Sequence, residues 1–321
     1  MGQTLVRKML NPAVTVLMAV YDPPLAMLAQ AIDSIQAQTF SDFEFQIVDD
    51  GSRDPAVLGL LERRRQRDAR IRIASEPHRG LTVSLNRGLA VARGTWIARQ
   101  DADDWSEPRR LERQMEYVRA HPETTVLGTA AWTHQQDGRM LWPTRLPASH
   151  AGILLRLPQG NPFVHGSVMF PRAAAASLGG YREEFRCSQD YDFLWRLAEQ
   201  GHAANLTEAL YHYRYTSDSV SAGRALEQAR THLAVQRLAD ARRHGETEDV
   251  AAALAQAENA RPLDALLKQA DHLMLAGNYR QAWAAYVRLL RSHPRNPRAW
   301  AKLARLGVFW SVPGLRETCF R

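Results

Sequence analysis

The sequence predicts an α/β fold, a parallel sheet with helices on both faces, followed by an all-helical extension. Three observations carry this. β-branched apolar runs alternate with helix-period segments through the first third of the chain. Two acidic clusters, Asp49-Asp50 and Asp101-Ala102-Asp103-Asp104, fall where such strands end. Past Ala222 the chain becomes rich in alanine and arginine and helical in pattern.

Val14–Val20 reads as a central parallel strand. Leu25, Leu28, Ile32 and Ile35 then share one helical face. Phe43–Val48 is the second strand and runs into the turn Asp49-Asp50-Gly51-Ser52. Leu58–Arg67 is a helix with a solvated arginine face, and Ile71–Ala74 a third strand. Leu85, Leu89 and Val91 mark another helix, closed by Gly94. Thr95–Ala98 is a strand leading straight into Asp101. A helix starts near Pro108, and another spans Phe193–Gln200. Beyond a polar break at 245–249, Ala270–Trp300 reads as two helices around Gly277-Asn278, ended by Pro294 and Pro297. That hairpin resembles a single tetratricopeptide unit, and an ordinary helical hairpin fits the same pattern.

Composition narrows the function. Of 321 residues, 45% are hydrophobic and 23% charged, which excludes wholesale disorder. Only three of the 41 basic residues are lysines (Lys8, Lys268, Lys302), and none sits in a motif, which argues against Schiff-base chemistry and a Walker-type lysine. Cys187 and Cys319 suit neither a metal knuckle nor a disulfide framework, and fit a reducing compartment. No apolar run is long enough for a membrane span, and Met1–Leu10 lacks the apolar stretch of a signal peptide. The expectation is a cytoplasmic protein, peripheral at most on the cytoplasmic face of a membrane.

In parallel sheets ligands bind outside the carboxyl ends of the strands, where both acidic clusters lie. Carboxylates at Asp101 and Asp103, just past a strand, can converge on one hard cation, leaving other positions to water and a diphosphate. They also fit an exposed acidic loop or a helix cap. Asp49 and Asp50 suit either a turn or an acceptor for base and ribose N–H and O–H groups. In Ser188-Gln189-Asp190-Tyr191-Asp192, either aspartate can cap the next helix or act as a general base. Local context does not place His78, His165 or His212, and Tyr181 and Trp195 read as core.

As an ordered set, Val14–Tyr21, Val48-Asp49-Asp50-Gly51-Ser52, Trp96–Asp104 and Gln189-Asp190-Tyr191-Asp192 resemble the motifs of family-2 glycosyltransferases. The connecting residues agree: Ala31–Phe40 with its Gln-Thr-Phe ending, Asn86-Arg87-Gly88-Leu89 with Gly94, and the closing loop Leu210–Ser221. The resemblance covers about residues 12–222 and implies a GT-A fold (Rossmann-like), a nucleotide-diphosphate sugar donor, a divalent metal (Mn²⁺ or Mg²⁺) and inversion at the anomeric carbon. It places Ala19, Tyr21, Asp49, Asp50, Asp101 and Ala102 around the nucleotide sugar, with a UDP- or dTDP-sugar favoured. It makes Asp101 and Asp103 the metal ligands and Asp190 the catalytic base. Asp104, Trp105, His165 and Gln189 fall on the acceptor side. Three departures stand out: Gln189 replaces a customary glutamate, Thr216 a common histidine, and Asp22 the usual asparagine.

The expected domains are a GT-A domain over 1–225, a helical linker over 226–260 and a basic, tetratricopeptide-like domain over 261–321. The acceptor expected is a glycan or lipid-linked hydroxyl in cell-surface polysaccharide synthesis. A nucleotide-sugar-binding scaffold is the alternative. A nucleotidyltransferase would want a glycine-rich loop where Tyr21-Asp22-Pro23-Pro24 stands. The net charge of +7 is carried mostly by Arg280–Arg321, interleaved with Trp300, Phe309 and Trp310. That segment suits peripheral contact with an anionic membrane, a protein partner or self-association; nucleic-acid binding loses its support.

Overall fold

The computed structural model describes residues 12–216, 225–258 and 263–311. The chain divides into two compact units, 1–132 with 143–213 and 133–142 with 214–321.

In the first unit, β1 (Val14–Val20), β2 (Phe43–Asp49), β3 (Ile71–Ser75) and β4 (Trp96–Arg99) form the parallel half of the sheet, in the order β3-β2-β1-β4. Val14, Val16, Met18 and Val20 point to one face, where they meet α1 (Leu25–Gln36), α2 (Pro55–Arg67) and α4 (Arg110–Ala120) in one apolar core. The other face takes α3 (Leu81–Val91), whose Gly88 lies so close to Leu17 that a Cβ would come within 2.1 Å of its Cδ1. Gly94 approaches the backbone of β1 just as tightly: a Cβ there would lie 2.3 Å from the Thr15 nitrogen. Both glycines are there for close packing.

Past β4 the sheet changes direction. β8 (Met169–Pro171) pairs antiparallel with β4, and β6 (Thr124–His134), β9 (His202–Arg214) and the short β5 (Trp105–Ser106) follow. The sheet is mixed, where the sequence pattern predicts parallel strands only. Gln38, in the Gln-Thr-Phe ending of α1, explains how the acidic loop is held. Its amide donates to the Glu107 carbonyl at 2.8 Å and its oxygen accepts the Leu111 N–H at 2.9 Å, pinning the start of α4 directly after that loop. Shorter helices α5 (His150–Arg156) and α6 (Arg172–Ser177) precede α7 (Gln189–Gln200).

The second unit contains α8 (Ala225–Arg243), α9 (Val250–Glu258), α10 (Leu263–Leu275), α11 (Tyr279–Ser292) and α12 (Pro297–Ser311). The segment expected as a linker thus forms α8 and α9 of this unit, which begins earlier than residue 226 and takes in the turn between β6 and β7 (Met140–Pro143). Leu267, Ala270, Leu273, Tyr286, Leu289 and Leu303 give α10–α12 a core of their own. Asp218-Ser219-Val220-Ser221 of the closing loop, Cys319, and the side chains of Phe309 and Trp310 lie outside the described residues. Among the described residues no helix is long and apolar enough to cross a membrane.

Candidate active site

The ends of β1, β2 and β4 and the start of α7 supply the residues in question. At the end of β2 the two aspartates do different work. Asp49 turns inward and accepts the Ser52 N–H at 3.1 Å, closing the turn. Asp50 reaches across to α3, accepting the Arg79 and Gly80 N–H groups, each at 2.9 Å, and pairing with His78 Nδ1 at 2.8 Å. A carboxylate there satisfies free donors at a helix start and meets its positive dipole end. Gly51, at φ +76°, allows the turn, since a Cβ would sit 2.8 Å from the His78 nitrogen. Tyr21 stacks on His78 with ring centroids 3.9 Å apart and stays substantially exposed, an aromatic surface beside Asp50. Asp22, where the family pattern has asparagine, is left-handed at φ 41° and caps the Arg53 and Asp54 N–H groups at 2.8 and 3.0 Å. Left-handed backbone is tolerated by either residue. Ala19 is half-buried near the end of β1.

The acidic loop after β4 is folded by Gln100, whose amide donates to the Asp101 and Asp104 carbonyls, both at 3.0 Å. Ala102 packs against the core, so Asp101 and Asp103 flank a residue that anchors the loop. Asp101 keeps 28% of its side chain exposed, and its Oδ1 accepts from Arg99 Nη2 at 2.7 Å. Its Oδ2 faces Gly166, where a Cβ would come within 2.7 Å of that oxygen and collide with the Tyr211 hydroxyl. The glycine therefore lets the Tyr211 hydroxyl and Asp101 pack against the backbone at this point. Asp103 is half-buried. Asp104, expected on the acceptor side, is 2% exposed and lies inward, where its charge acts on Tyr211. Burial first, then Asp104 and Asp101, push the Tyr211 hydroxyl well above the ordinary range for tyrosine, so it stays protonated.

Asp190 occupies the first turn of α7, after Ser188 at a left-handed φ of 58°. Its Oδ2 accepts from the Asn161 amide at 2.8 Å. Asp192 resolves the ambiguity of this motif. Fully buried, it is gripped by Arg196 at 2.7 and 2.9 Å and by Arg182 at 3.1 Å, a structural cluster. Gln189 is nearly buried. Trp105 stacks on His212 at 4.6 Å, and His212 Nε2 pairs with Glu107 at 2.6 Å. The hydroxyl of Tyr181, whose ring lies 4.1 Å from that of Phe193 on α7, is joined to Asp101 through His165 and Arg99. His165 Nε2 lies 2.9 Å from that hydroxyl, so this nitrogen is spent inside the protein and does not face an acceptor.

Several residues that pattern reading passes over hold the site: Arg99, Gln100, Arg110 and Tyr211. Arg99 and Arg110 are both fully buried. Charged residues at an apolar strand end and at the next helix start are the one signal that pointed to them. Arg110 donates to the Gly166 and Arg99 carbonyls at 2.9 and 2.8 Å, and burial lowers its pKa to about 10, so it remains cationic at neutral pH.

Comparison with known proteins settles the family. The sequence model described as Glycosyl transferase family 2 matches residues 15–178, about half of the chain and most of the sheet just described. The chain belongs to glycosyl transferase family 2. EpsE of Bacillus subtilis (strain 168), described as a putative glycosyltransferase, is 35% identical over 214 residues, 65% of this chain and 75% of EpsE. The amylovoran biosynthesis glycosyltransferase AmsE of Erwinia amylovora is 30% identical over 212 residues, 66% of this chain and 79% of AmsE. Residues 1–349 of S. aureus TarS, solved with UDP-GlcNAc, superpose with a TM-score of 0.56 at 17% identity, over 85% of this chain and 83% of that one. This chain covers half of the longer TarS structure. The mannosyltransferase PcManGT of Pyrobaculum calidifontis, solved with GDP-Man and Mn²⁺, gives a TM-score of 0.55 at 19% identity, over 96% of this chain and 83% of that one. These structural likenesses give the family-2 glycosyltransferase its GT-A fold.

The divalent metal expected for this family has a plausible seat in chemical terms. Among the described residues no group of three His, Cys, Asp or Glu is disposed to hold an ion. What Asp101 and Asp103 offer is two hard, partly exposed carboxylates, the donor set of a cation completed by water and a diphosphate.

Proposed function

We propose that this family-2 glycosyltransferase is a metal-dependent, inverting enzyme that moves a sugar from a UDP- or dTDP-sugar to a hydroxyl of a glycan or lipid-linked acceptor in cell-surface polysaccharide synthesis. One observation carries the reading: Asp101, at the carboxyl end of the sheet, is tied through Arg99 and His165 to the Tyr181 hydroxyl, and the Tyr181 ring packs on Phe193 of α7, the helix whose first turn carries Asp190. The relatives named for polysaccharide assembly and the structures holding nucleotide sugars support the substrate class.

In this reading the base lies against Tyr21 beside Asp50, with Ala19 and Asp49 framing that end of the site. The ribose meets Asp101 and the backbone at Ala102. Asp101 and Asp103 would hold the metal, which as a Lewis acid would stabilise the departing diphosphate. Asp190, oriented by Asn161, takes the proton from the acceptor hydroxyl as that oxygen attacks the anomeric carbon in line, opposite the leaving group. Trp105 and Gln189 line the acceptor side. In the second unit, residues 279–304 hold six basic and no acidic side chains, and we assign α11–α12 to an anionic membrane surface on the cytoplasmic side.

Calorimetry with Mn²⁺ against UDP, dTDP and GDP sugars tests the donor assignment; a preference for GDP sugars overturns the role of Asp50. Asp103→Ala should abolish metal-dependent turnover. Asp190→Asn should retain donor binding and lose ~10²–10⁴-fold in transfer rate, the usual contribution of a positioned base. Transfer at the wild-type rate in Asp190→Asn overturns the base assignment. Nucleotide binding with no transfer to any acceptor marks a scaffold instead.

A further inference from the structure

Behind the two carboxylates runs a chain of hydrogen bonds that the transfer step itself does not use. Arg99, fully buried at the end of β4, donates from Nη2 to Asp101 Oδ1 at 2.7 Å. Its Nη1 donates to the Leu17 and Gln100 carbonyls at 2.5 and 3.1 Å. Its Nε points at His165 Nε2, 3.4 Å away, the nitrogen that also meets the Tyr181 hydroxyl. A guanidinium N–H can only donate, so His165 Nε2 is the acceptor, the tyrosine hydroxyl donates to it, and the ring proton sits on Nδ1. Burial, and next the charge of Arg99, hold the His165 pKa well below the usual histidine range, in keeping with that neutral tautomer. Tyr181 is anchored in turn. The Asn86 amide clamps its backbone at 2.8 and 2.9 Å, and its ring lies 4.1 Å from Phe193 of α7.

We infer that Arg99 is a positioning residue for Asp101, and that His165 positions Arg99 by accepting from both it and Tyr181. The inference rests on the proposed function, in which Asp101 meets metal and ribose. With Oδ1 fixed, rotation of the carboxylate is frozen, and the side chain remains 28% exposed for a ligand. A buried ion pair of this kind adds little stability over an apolar pair of similar volume. Fixing a ligand's orientation is worth far more: loss of such an outer partner costs ~10–100-fold in metal affinity.

The test is calorimetric titration of the full chain with UDP and with GDP, each in Mn²⁺ and in EDTA, read as the ratio of the two affinities. A folding defect lowers both affinities, whereas misplacement of Asp101 lowers their ratio. Arg99→Lys, which keeps the charge and loses the fork, should reduce the Mn²⁺ enhancement by about tenfold or more. His165→Phe should do the same. His165→Gln, whose Oε1 replaces Nε2 as acceptor, should restore most of it. If Asp101→Asn loses the enhancement while Arg99→Lys and His165→Phe keep it, the positioning role is wrong. Equal loss in His165→Gln and His165→Phe overturns the acceptor role of His165. A wild-type chain that shows no Mn²⁺ enhancement with either nucleotide overturns the metal-dependent reading itself, and the positioning role with it.

Discussion

Glu44 lies on β2 with 4% of its side chain exposed, yet it is ionised. Burial alone would push its carboxyl up. Hydrogen bonds from Thr15 Oγ1 and from the N–H and guanidinium of Arg93, all at 2.7 Å, outweigh that and hold it below the ordinary value of 4.5. A carboxyl depressed in the folded state stabilises the fold above its unfolded pKa, and that contribution is lost as pH falls through the folded value. Glu44→Gln should therefore cost ~1.5–3 kcal/mol near neutral pH, the range for hydrogen bonds to a charged group. The difference from wild type in urea unfolding should shrink as the pH drops below about 4.5. A difference that stays constant from pH 7 to pH 3 would show that the charge contributes nothing. Asp192 is likewise buried and held by two arginines, Arg182 and Arg196, so a buried carboxylate near the site is not by itself a catalytic one.

Elements in the parallel half of the sheet are set by close packing that only small residues permit. Gly94 precedes β4, and an added Cβ would lie 2.3 Å from the Thr15 nitrogen and 2.6 Å from the Val14 carbonyl carbon, backbone atoms that cannot swing away. Gly94→Ala should push β4 from β1 and cost ~1–3 kcal/mol by overpacking, seen as a lower thermal midpoint. An unchanged midpoint would mean that the strands separate freely. This half was legible in the sequence because each strand is a short β-branched run bounded by turn residues, and the acidic clusters mark the strand ends. The antiparallel half was not. β5 has two residues, and β9, HAANLTEALYHYR, alternates poorly. The start of α7 reads four residues late, at Phe193 and not Gln189, since the break comes from the left-handed backbone of Ser188, which no residue type announces. The aspartates were legible as a set, but their partners were not. Which of Asp190 and Asp192 is buried against arginine depends on Arg182 and Arg196 being brought together by the fold.

At the scale of the whole molecule, charge is divided unevenly. Residues 1–225 carry a net +1 and residues 226–321 a net +6. On α11, Ala282, Tyr286, Leu289 and Leu290 face the helical core, and Arg280, Arg288 and Arg291 are exposed. Arg295 and Arg298 continue the exposed basic surface into α12, with Trp283 and Trp300 beside them at 39% and 53% exposure. Arginine with exposed tryptophan, and no carboxylate among them, suits the headgroup region of an anionic bilayer, where each basic residue near the surface adds ~1 kcal/mol. Replacing Arg280, Arg288 and Arg291 together by glutamine should then weaken binding to phosphatidylserine-containing vesicles by roughly a hundredfold. Binding by wild type should fall steeply as salt rises and the Debye length contracts from about 10 Å at 0.1 M toward 3 Å at 1 M. Tryptophan fluorescence should shift to the blue on vesicle addition and lose part of that shift in Trp283→Ala. Vesicle binding that survives removal of all residues after Arg261 would place the membrane contact elsewhere. Retention on neutral vesicles equal to that on anionic ones would remove charge from the account.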